Sequence, residues 1–275
     1  MSRETILIAE IGENHIGDWD RARQMVAEAA RAGADVVKFQ SYRASDVAPG
    51  DPEKEWFAQV QLPDELHFEL VEHAQACGVE FMSTPFTVER ARFLCERVKL
   101  RKIKIASSEI LNFSLLDYVN QNAQEVFLST GMSTLEEIGR ALGHLDRVRE
   151  VCLLHCVTQY PAQDEEVNLR AIPSLSRAFP DRLIGYSDHA LGTEAAVAAV
   201  ALGATVIEKH FTLSKTLPGT DHILSATPDE FFEMSRRIRR LEVLLGEAVK
   251  APVPREKQIR DFVRNRWRKE ERVNQ

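Results

Sequence analysis

Two histidines stand at the ends of consecutive apolar runs, where both could bind one metal ion. His189 follows the run that begins at Ile184, and His210 follows the run that begins at Ala204. Neighbouring parallel strands end at the same edge of a sheet, so both imidazoles can face a common point. Two imidazoles completed by water or substrate oxygens suit Mn2+, Zn2+, Fe2+ or Co2+ and leave positions open for chemistry. Glu10, at the end of another apolar run, is a candidate third ligand or a group that orients a ligand.

Two lysines lie inside apolar runs, where a charge is costly to bury without a partner. Lys38 is in Val-Val-Lys-Phe, and Lys104 is in Lys-Ile-Lys-Ile. One interpretation is an internal ion pair with Glu10, Glu109 or Glu208. The other is a bound phosphate or carboxylate, held also by hydroxyls and backbone N–H groups at strand-to-helix turns. The hydroxyls available at the ends of the runs are those of Ser107, Ser129, Thr130 and Ser187.

The remaining histidines have no comparable partner in the sequence. His155, in Leu-Leu-His-Cys, fits a core histidine with satisfied hydrogen bonds as well as it fits a ligand. The others are interpreted as surface or loop residues, namely His15, His67, His73, His144 and His222. No nucleophile elbow, P-loop or H-E-x-x-H motif occurs. The residues therefore indicate a metal-assisted enzyme that acts on a small anionic, phosphorylated molecule.

Eight apolar runs alternate with amphipathic segments and must position these side chains. The predicted strands are Thr5–Ala9, Val36–Phe39, Glu80–Ser83, Ile103–Ala106, Val126–Ser129, Cys152–His155, Leu183–Gly185 and Thr205–Glu208. Several are apolar throughout, as expected for parallel strands covered on both faces. This alternation predicts an α/β fold, a (β/α)8 barrel with its active site at one rim. A doubly wound open sheet is the alternative, although no G-x-G-x-x-G follows the first strand.

Local signals place the helices and the segments outside the alternation. Ser133 and Glu136 have capping-box spacing, and Thr227-Pro228 is a strong helix start. Ser41–Gln61 is interpreted as a long loop, a candidate lid. The barrel domain is predicted to span residues 1–250, and residues 251–275 are predicted to be a polar, basic tail, either a solvated helix or a disordered end.

Composition excludes some classes of protein. The net charge of −7 over 275 residues argues against a nucleic-acid partner. No apolar run is long enough to span a bilayer, and the N-terminus has no signal-peptide pattern. The four cysteines lack a zinc or disulfide spacing, which predicts reduced thiols. We therefore expect a cytoplasmic protein without a membrane or nucleic-acid partner.

Taken together, the clusters resemble the sialic acid (N-acetylneuraminate) synthase family. The matching stretches run in order along the chain: Ala9–Gly17, Gly33–Gln40, Ser83–Phe86, Lys104–Glu109, Leu128–Met132, Leu153–Cys156, Tyr160–Pro161, Gly185–His189, Glu208–Thr212 and Pro218–Asp221. The resemblance implies a TIM-barrel enzyme that condenses phosphoenolpyruvate with an N-acylated aldose such as N-acetylmannosamine. The products would be a nonulosonic acid and phosphate, and a homodimer is expected.

The resemblance also implies a role for each matching residue. His189 and His210 would hold a divalent metal, usually Mn2+, with Mg2+ or Co2+ as alternatives. The residues implied to bind phosphoenolpyruvate are Lys38, Thr84, Lys104, Ser107, Ser129 and Ser187. The residues implied to line the sugar and catalytic side are Glu10, Gln40, Glu109, Tyr160, Glu208 and Asp221. Within that set Glu10, Glu109, Glu208 and Asp221 are the candidate catalytic residues, with Glu109 and Asp221 proposed for proton transfer.

The chain departs from the family pattern at three points. Thr158 stands where an asparagine commonly helps bind phosphoenolpyruvate, and the segment after the second strand is shorter than usual. Family members usually carry a C-terminal antifreeze-like domain whose arginine reaches the partner's active site, and no such domain is expected here. Arg264, Arg266 or Arg268 of a partner's tail is the hypothetical substitute.

The function predicted from these observations is that of a nonulosonate synthase. The acceptor could be N-acetylmannosamine, its 6-phosphate, or a diacetamido-trideoxyhexose. Two alternatives stay open: a metal-dependent aldolase, and a non-catalytic or partner-dependent barrel subunit of a full-length synthase.

Overall fold

The computed structural model describes residues 4–267 and contains eight parallel strands closed into a barrel. The strands are β1 (Ile6–Gly12), β2 (Val36–Ser41), β3 (Glu80–Pro85), β4 (Lys102–Ile105), β5 (Glu125–Ser129), β6 (Glu150–His155), β7 (Leu183–Asp188) and β8 (Val206–His210). Closure is made by β1 and β8, where Ile8 is in register with Glu208. The predicted (β/α)8 barrel is confirmed, and the open-sheet alternative is wrong.

The carboxyl ends of β1, β2, β3, β7 and β8 extend beyond the apolar runs that predicted them. The polar residues that follow each run continue the parallel ladder, so the strand does not end where the apolar pattern ends. Glu10 is in register with Lys38, and Ser187 with Glu208. The same pairing that builds the barrel therefore brings charged side chains of neighbouring strands together.

Side chains alternate along each strand, which stacks an apolar layer and a polar layer inside the barrel. The apolar layer is a small buried cluster that includes Ile8, Val36 and Val206. Two residues further along these strands stand Glu10, Lys38 and Glu208, all buried. The period of two thus predicts which residues face the rim cavity.

Gly185 allows β7 to fit between its neighbours in the barrel. A Cβ atom at this position would lie 2.5 Å from Leu154 Cδ2 and 2.7 Å from the Val206 carbonyl oxygen. Because these contacts include backbone on β8, any larger residue would force the barrel wall apart. The glycine in the sequence motif therefore has a packing role.

Helices cover the outside of the barrel. They are α1 (Trp19–Arg31), α2 (Lys54–Val60), α3 (Asp64–Ala76), α4 (Val88–Arg92), α5 (Phe113–Asn122), α6 (Leu135–Gly143), α7 (Ala171–Ala178), α8 (Glu194–Ala201), α9 (Pro228–Leu245) and α10 (Pro254–Asn265). A π-helical turn, Phe93–Arg97, continues α4. In α1, Ala22, Met25, Val26 and Ala29 form the buried stripe. The main apolar core lies between this outer layer and the strands.

Two helix starts can be compared with their sequence signals. Thr227 caps α9 as predicted: its hydroxyl accepts from Glu230 N, and its own N–H donates to Glu230 Oε2 at 2.9 Å. The predicted box at Ser133 and Glu136 is wrong by one residue, because Thr134 and Glu137 form it. Both pairs have the same spacing, so the three-residue rule could not choose between them.

The segment Ser41–Gln61 is more ordered than the predicted loop. It contains a 3-10 turn, Ala44–Asp46, and helix α2. Tyr42 Oη and Trp56 Nε1 both donate to the Glu13 carboxylate, each at 2.7 Å. These two bonds attach both ends of the segment to the loop that follows β1.

The chain divides into two compact units, one through Val243 and one from Leu244 onward. The second unit contains the exposed helix α10, with Arg264 on it and Arg266 just beyond it. Arg268, the third arginine named as a substitute, lies outside the described residues. Among residues 4–267, no helix is both long and apolar enough to cross a bilayer.

Candidate active site

A cavity of about 480 Å³ opens at the carboxyl ends of the strands. Its walls include every predicted site residue except Glu109 and Thr130: Glu10, Lys38, Gln40, Thr84, Lys104, Ser107, Ser129, Thr158, Tyr160, Ser187, His189, Glu208, His210 and Asp221. The Thr130 hydroxyl instead donates to the Leu154 carbonyl oxygen at 3.0 Å. Residues from all eight strand ends or the loops after them meet here, as the barrel topology predicts.

The two buried lysines that line the cavity have carboxylate partners at its floor. Lys38 Nζ forms an ion pair with Glu10, lies 3.7 Å from Glu208 Oε2 and donates to Thr84 Oγ1 at 3.1 Å. Lys104 Nζ lies 3.5 Å from Glu208 Oε1. The internal ion pairs considered from the sequence are therefore present with Glu10 and Glu208. They line an open cavity, so pairing and anion binding are compatible.

The two glutamates of this cluster have opposite pKa shifts. Burial raises the pKa of Glu10 to about 7, against the opposing charge of Lys38. Burial would also raise the pKa of Glu208, but Lys104, Lys38 and a hydrogen bond from Ser187 lower it to about 2. Carboxyl groups with separated pKa values can take different roles in proton transfer. Glu208 is a fixed anion at neutral pH, whereas Glu10 can gain or lose a proton there.

The two predicted metal ligands lie next to each other beneath Tyr160. The imidazole centroids of His189 and His210 are 5.4 Å apart, and the Tyr160 ring stacks on His189 at 4.2 Å. Burial lowers the pKa of His189 to about 4, helped by His210. Burial, with a contribution from Lys38, lowers that of His210 to about 3. Both rings are therefore neutral at physiological pH, which is the protonation state that binds a metal.

A hydrogen bond orients the His189 ring, and a carboxylate lies beside the His210 ring. His189 Nδ1 lies 2.7 Å from the Val157 carbonyl oxygen, which accepts the Nδ1 proton and leaves Nε2 as the free nitrogen. His210 Nδ1 lies 3.3 Å from Asp221 Oδ2. Within residues 4–267 no group of three or more His, Cys, Asp or Glu is arranged to hold a metal ion. A cation at this point would have two protein nitrogens and would need further ligands from water or substrate.

Hydroxyl groups also line the cavity, and a glycine packs behind two of them. Ser107 Oγ accepts from Gly131 N at 3.1 Å, and Ser187 Oγ donates to Glu208 Oε1 at 2.9 Å. A Cβ atom at Gly131 would lie 2.3 Å from Thr158 Oγ1, so a larger residue would displace this hydroxyl. Thr158 Oγ1 is buried and has no hydrogen-bond partner among residues 4–267. Buried hydroxyls without a partner are uncommon, and this one can bind a substrate oxygen.

Glu109 lies in a neighbouring pocket. It receives a hydrogen bond from Asn112 Nδ2 at 2.8 Å and lines a second cavity of about 260 Å³. Because Glu109 follows the same strand as Lys104, the sequence predicts that it lies beside the other candidates. The 3-10 turn Ser107–Glu109 turns it toward the Ser41–Gln61 segment.

Several other residues of the main cavity have no role predicted from the sequence. They are Glu13, Glu53, Phe57, Phe86, Ala106, Ser108 and Thr220. Glu53 and Phe57 belong to the segment that was interpreted as a loop, so only its fold reveals their position. Glu13 lies within the matching stretch Ala9–Gly17, and its closeness to Glu10 was an available signal.

Three histidines that were expected at the surface or in loops are buried, namely His15, His67 and His222. Gly17 N donates to His15 Nδ1, and His67 Nδ1 lies 2.9 Å from the Pro63 carbonyl oxygen. His222 Nδ1 lies 2.7 Å from Thr212 Oγ1. Each is a core histidine with one ring nitrogen in a hydrogen bond to a residue near it in the chain. The spacing of apolar residues does not predict the burial of such a polar side chain. His155 is also buried, with Nε2 2.8 Å from the Val167 carbonyl oxygen.

No disulfide joins the four cysteines. Cys95, Cys152 and Cys156 are buried, and Cys77 is partly exposed. Ser107 Oγ lies 3.2 Å from Cys156 Sγ, so this thiol is directly behind the hydroxyl wall of the cavity.

Comparison with known proteins gives a consistent set of relatives. An uncharacterized protein of Methanocaldococcus jannaschii is 44% identical over 258 residues, covering 93% of this chain and 76% of the relative. N,N'-diacetyllegionaminic acid synthase of Campylobacter jejuni is 38% identical over 281 residues, covering 95% of this chain and 84% of the enzyme. The crystal structure of N-acetylneuraminic acid synthetase from Leptospira borgpetersenii, in complex with citrate, superposes with a TM-score of 0.90 at 33% identity. That superposition covers 97% of this chain and 94% of the synthetase.

The family model described as NeuB family matches residues 25–250. This match spans most of the barrel, including both buried lysines and both histidines of the cavity. The chain therefore belongs to the NeuB family and is a carbon–carbon bond-forming transferase, an acid synthase.

Proposed function

We propose that this chain condenses phosphoenolpyruvate with an N-acylated aldose, in the presence of a divalent cation, to give a nonulosonic acid and phosphate. The observation that carries the proposal is a pair of buried lysines in an open cavity. Lys38 and Lys104 are 3% and 4% exposed, and both line the 480 Å³ space. Cations held this deeply beside an open cavity suit a small, multiply charged anion.

Phosphoenolpyruvate carries its carboxylate and its phosphate ester on the same carbon, C2, so two separated ammonium groups can hold both. Hydroxyls of Thr84, Ser107 and Ser129 stand on the same wall, and the free Thr158 hydroxyl can donate to the same anion. A bound anion would replace Glu10 as a partner of Lys38. The fixed negative charge of Glu208 would keep both ammonium groups protonated and in place.

The acceptor aldose would occupy the outer half of the cavity. Gln40, Tyr160 and Asp221 line this side and offer donors and acceptors to sugar hydroxyls. Burial raises the pKa of Asp221, which favours proton exchange with a bound molecule.

His189 and His210 are the residues that would hold the cation, because both are neutral and one ring nitrogen of each is free or weakly paired. We propose Mn2+, with Mg2+ or Co2+ as alternatives. When bound, the cation supplies Lewis-acid polarisation of the aldehyde oxygen.

The reaction balances without an oxidant or reductant. C3 of phosphoenolpyruvate forms a bond to the aldehyde carbon, and the aldehyde oxygen takes up a proton. Water adds to C2 and loses one proton, which leaves a tetrahedral carbon bearing a hydroxyl and the phosphate. The C2–O bond to phosphate then breaks, the C2 hydroxyl becomes the carbonyl of the product, and its proton leaves with the phosphate. The two lysines stabilise the phosphate and carboxylate throughout, and Glu10, with its pKa near neutrality, can carry a proton between these groups.

The test is phosphate release by the purified chain. Release should require phosphoenolpyruvate, an N-acylated aldose and a divalent cation together, and omission of any one should abolish it. Treatment with a chelator followed by Mn2+ should remove and then restore activity. A metal-dependent aldolase would instead cleave the nine-carbon acid without phosphate. A non-catalytic subunit would release none, and either result would reject the proposal.

A further inference from the structure

A second cavity of about 260 Å³ adjoins the main one. None of the residues assigned above to phosphoenolpyruvate lines it. Gln40, Phe57 and Phe86 line both spaces, so a molecule in the main cavity can extend into the second. We propose that this side pocket receives the distal end of the acceptor and that the acceptor is an uncharged aldose, not a sugar phosphate. The inference rests on the proposed function and names the substrate class of the same site.

Carboxylates dominate the path from the main cavity to the side pocket. Glu13, Glu53 and Asp221 line the outer part of the main cavity, and Asp46 and Glu109 line the side pocket. A phosphate monoester carries close to two negative charges at neutral pH. Like charges brought together in a partly desolvated site are strongly disfavoured.

Few cations offset these carboxylates. Among the described residues that line the two cavities, the cations are Lys38, Lys104 and Arg43. Both lysines are paired with Glu10 and Glu208 at the floor of the main cavity. Arg43 Nη2 lies 3.2 Å from Asp64 Oδ2, and its side chain is 60% exposed. Lys54 lies near by, where Nζ donates to the Val47 carbonyl oxygen, but it lines neither cavity.

Bound ligands would not reverse this balance. A divalent cation adds two positive charges, and phosphoenolpyruvate adds a carboxylate and a phosphate. Together they contribute no net positive charge, so the acceptor still meets a negative surface.

The shape and chemistry of the side pocket suit a neutral substituent. Tyr42 packs edge-on against Phe57 and Phe86, with ring centroids 5.3 and 5.9 Å away. These rings provide an apolar wall for a methyl or methylene group at the distal end of the aldose, and Gln40 and Glu109 provide polar atoms for its uncharged polar substituents. Because the Tyr42 hydroxyl is bonded to Glu13, this wall is fixed in position.

The test compares matched acceptors with saturating phosphoenolpyruvate and Mn2+. N-acetylmannosamine, N-acetylmannosamine 6-phosphate and a diacetamido-trideoxyhexose are assayed by consumption of phosphoenolpyruvate. An uncharged sugar should have a kcat/KM at least about tenfold above that of the phosphorylated sugar, as like-charge repulsion requires. The double variant Asp46→Asn/Glu53→Gln should raise the relative kcat/KM of the phosphorylated sugar.

Glu55→Gln is the matched control, because Glu55 is exposed on the same helix as Lys54 and Phe57 and lines neither cavity. It should leave the ratio unchanged. Equal or greater kcat/KM for the 6-phosphate, or an unchanged ratio in the double variant, overturns the inference while the proposed function stands. Absence of turnover with every aldose overturns both.

Discussion

Lys104 is a buried ammonium group whose pKa is lowered by burial in spite of Glu208. Lys38, which has two carboxylates beside it, has a raised pKa because Glu10 and Glu208 outweigh the effect of burial. The carboxylates of the cluster therefore stabilise the charged form of Lys38 more strongly than that of Lys104. A phosphate or carboxylate bound beside Lys104 would supply the negative charge that this residue has only in part.

Replacing Lys104 with methionine should lower kcat/KM for phosphoenolpyruvate by roughly 10²- to 10³-fold, the usual cost of removing one charge-stabilising group from an active site. Steady-state phosphate release is the measurement. Lys102→Met is the matched control: Lys102 is on the same strand, but its Nζ pairs with Glu80 and Glu125 away from the cavity. Similar losses in both variants would show that the effect is structural.

The ends of β7 and β8 are joined by another buried ion pair, outside the cavity cluster. Lys209 Nζ is 3.1 Å from Asp188 Oδ2, and both side chains are fully buried. Lys209 also donates to the Ala190 carbonyl oxygen, and Tyr186 Oη donates to Asp188 Oδ1 at 3.0 Å. Since Asp188 and Lys209 immediately precede His189 and His210, this pair fixes the two strand ends relative to each other.

Breaking this pair should destabilise the barrel. Lys209→Met leaves the Asp188 carboxylate buried without its cation, a change that costs about 3–5 kcal/mol in comparable sites. Urea unfolding would measure it. The Lys215–Glu230 pair is the control, because it is partly exposed and Lys215→Met should cost only about 0–1 kcal/mol. A loss at Lys209 no larger than that at Lys215 would contradict a structural role for the buried pair.

The whole molecule buries several histidines in the neutral state. Burial lowers the pKa of His15 and of His67 to about 4. Burial also lowers the pKa values of His189 and His210. It raises the pKa of Glu10, because burial disfavours the charged form of an acid as well as that of a base. Between the unfolded and folded pKa values of such a histidine, the unfolded chain binds more protons than the folded chain.

The contribution of His67 can be isolated by substitution. The contribution of neutral, buried His67 to the free energy of unfolding is complete above pH 6.5. It is lost as the pH falls toward the folded-state pKa of His67, about 4. Within this window the wild type should lose up to about 1.4 kcal/mol of unfolding free energy per pH unit more than His67→Phe. Urea unfolding of both proteins from pH 7 to pH 4 provides the comparison, and parallel curves would show that His67 does not titrate as described.

The sequence by itself determined the alternation of strands and helices, hence the barrel, and the residues that stand at the strand ends. It did so because parallel strands must be apolar to be buried, so that Lys38 and Lys104 stand out, and because side chains alternate along a strand. The order of the matching stretches also predicted the family. These features depend on the residue types and their spacing within short segments of the chain.

Only the tertiary structure decided which of these groups meet. The pairing of Lys38 with Glu10, the position of Glu109 in a side pocket and the neutrality of the buried histidines depend on contacts between residues far apart in the chain. Helix α2 was missed because its short amphipathic run follows a Pro/Gly-bearing stretch, and its attachment to Glu13 is what orders it. Burial and charge balance arise when distant segments pack together, so no window of the sequence contains them.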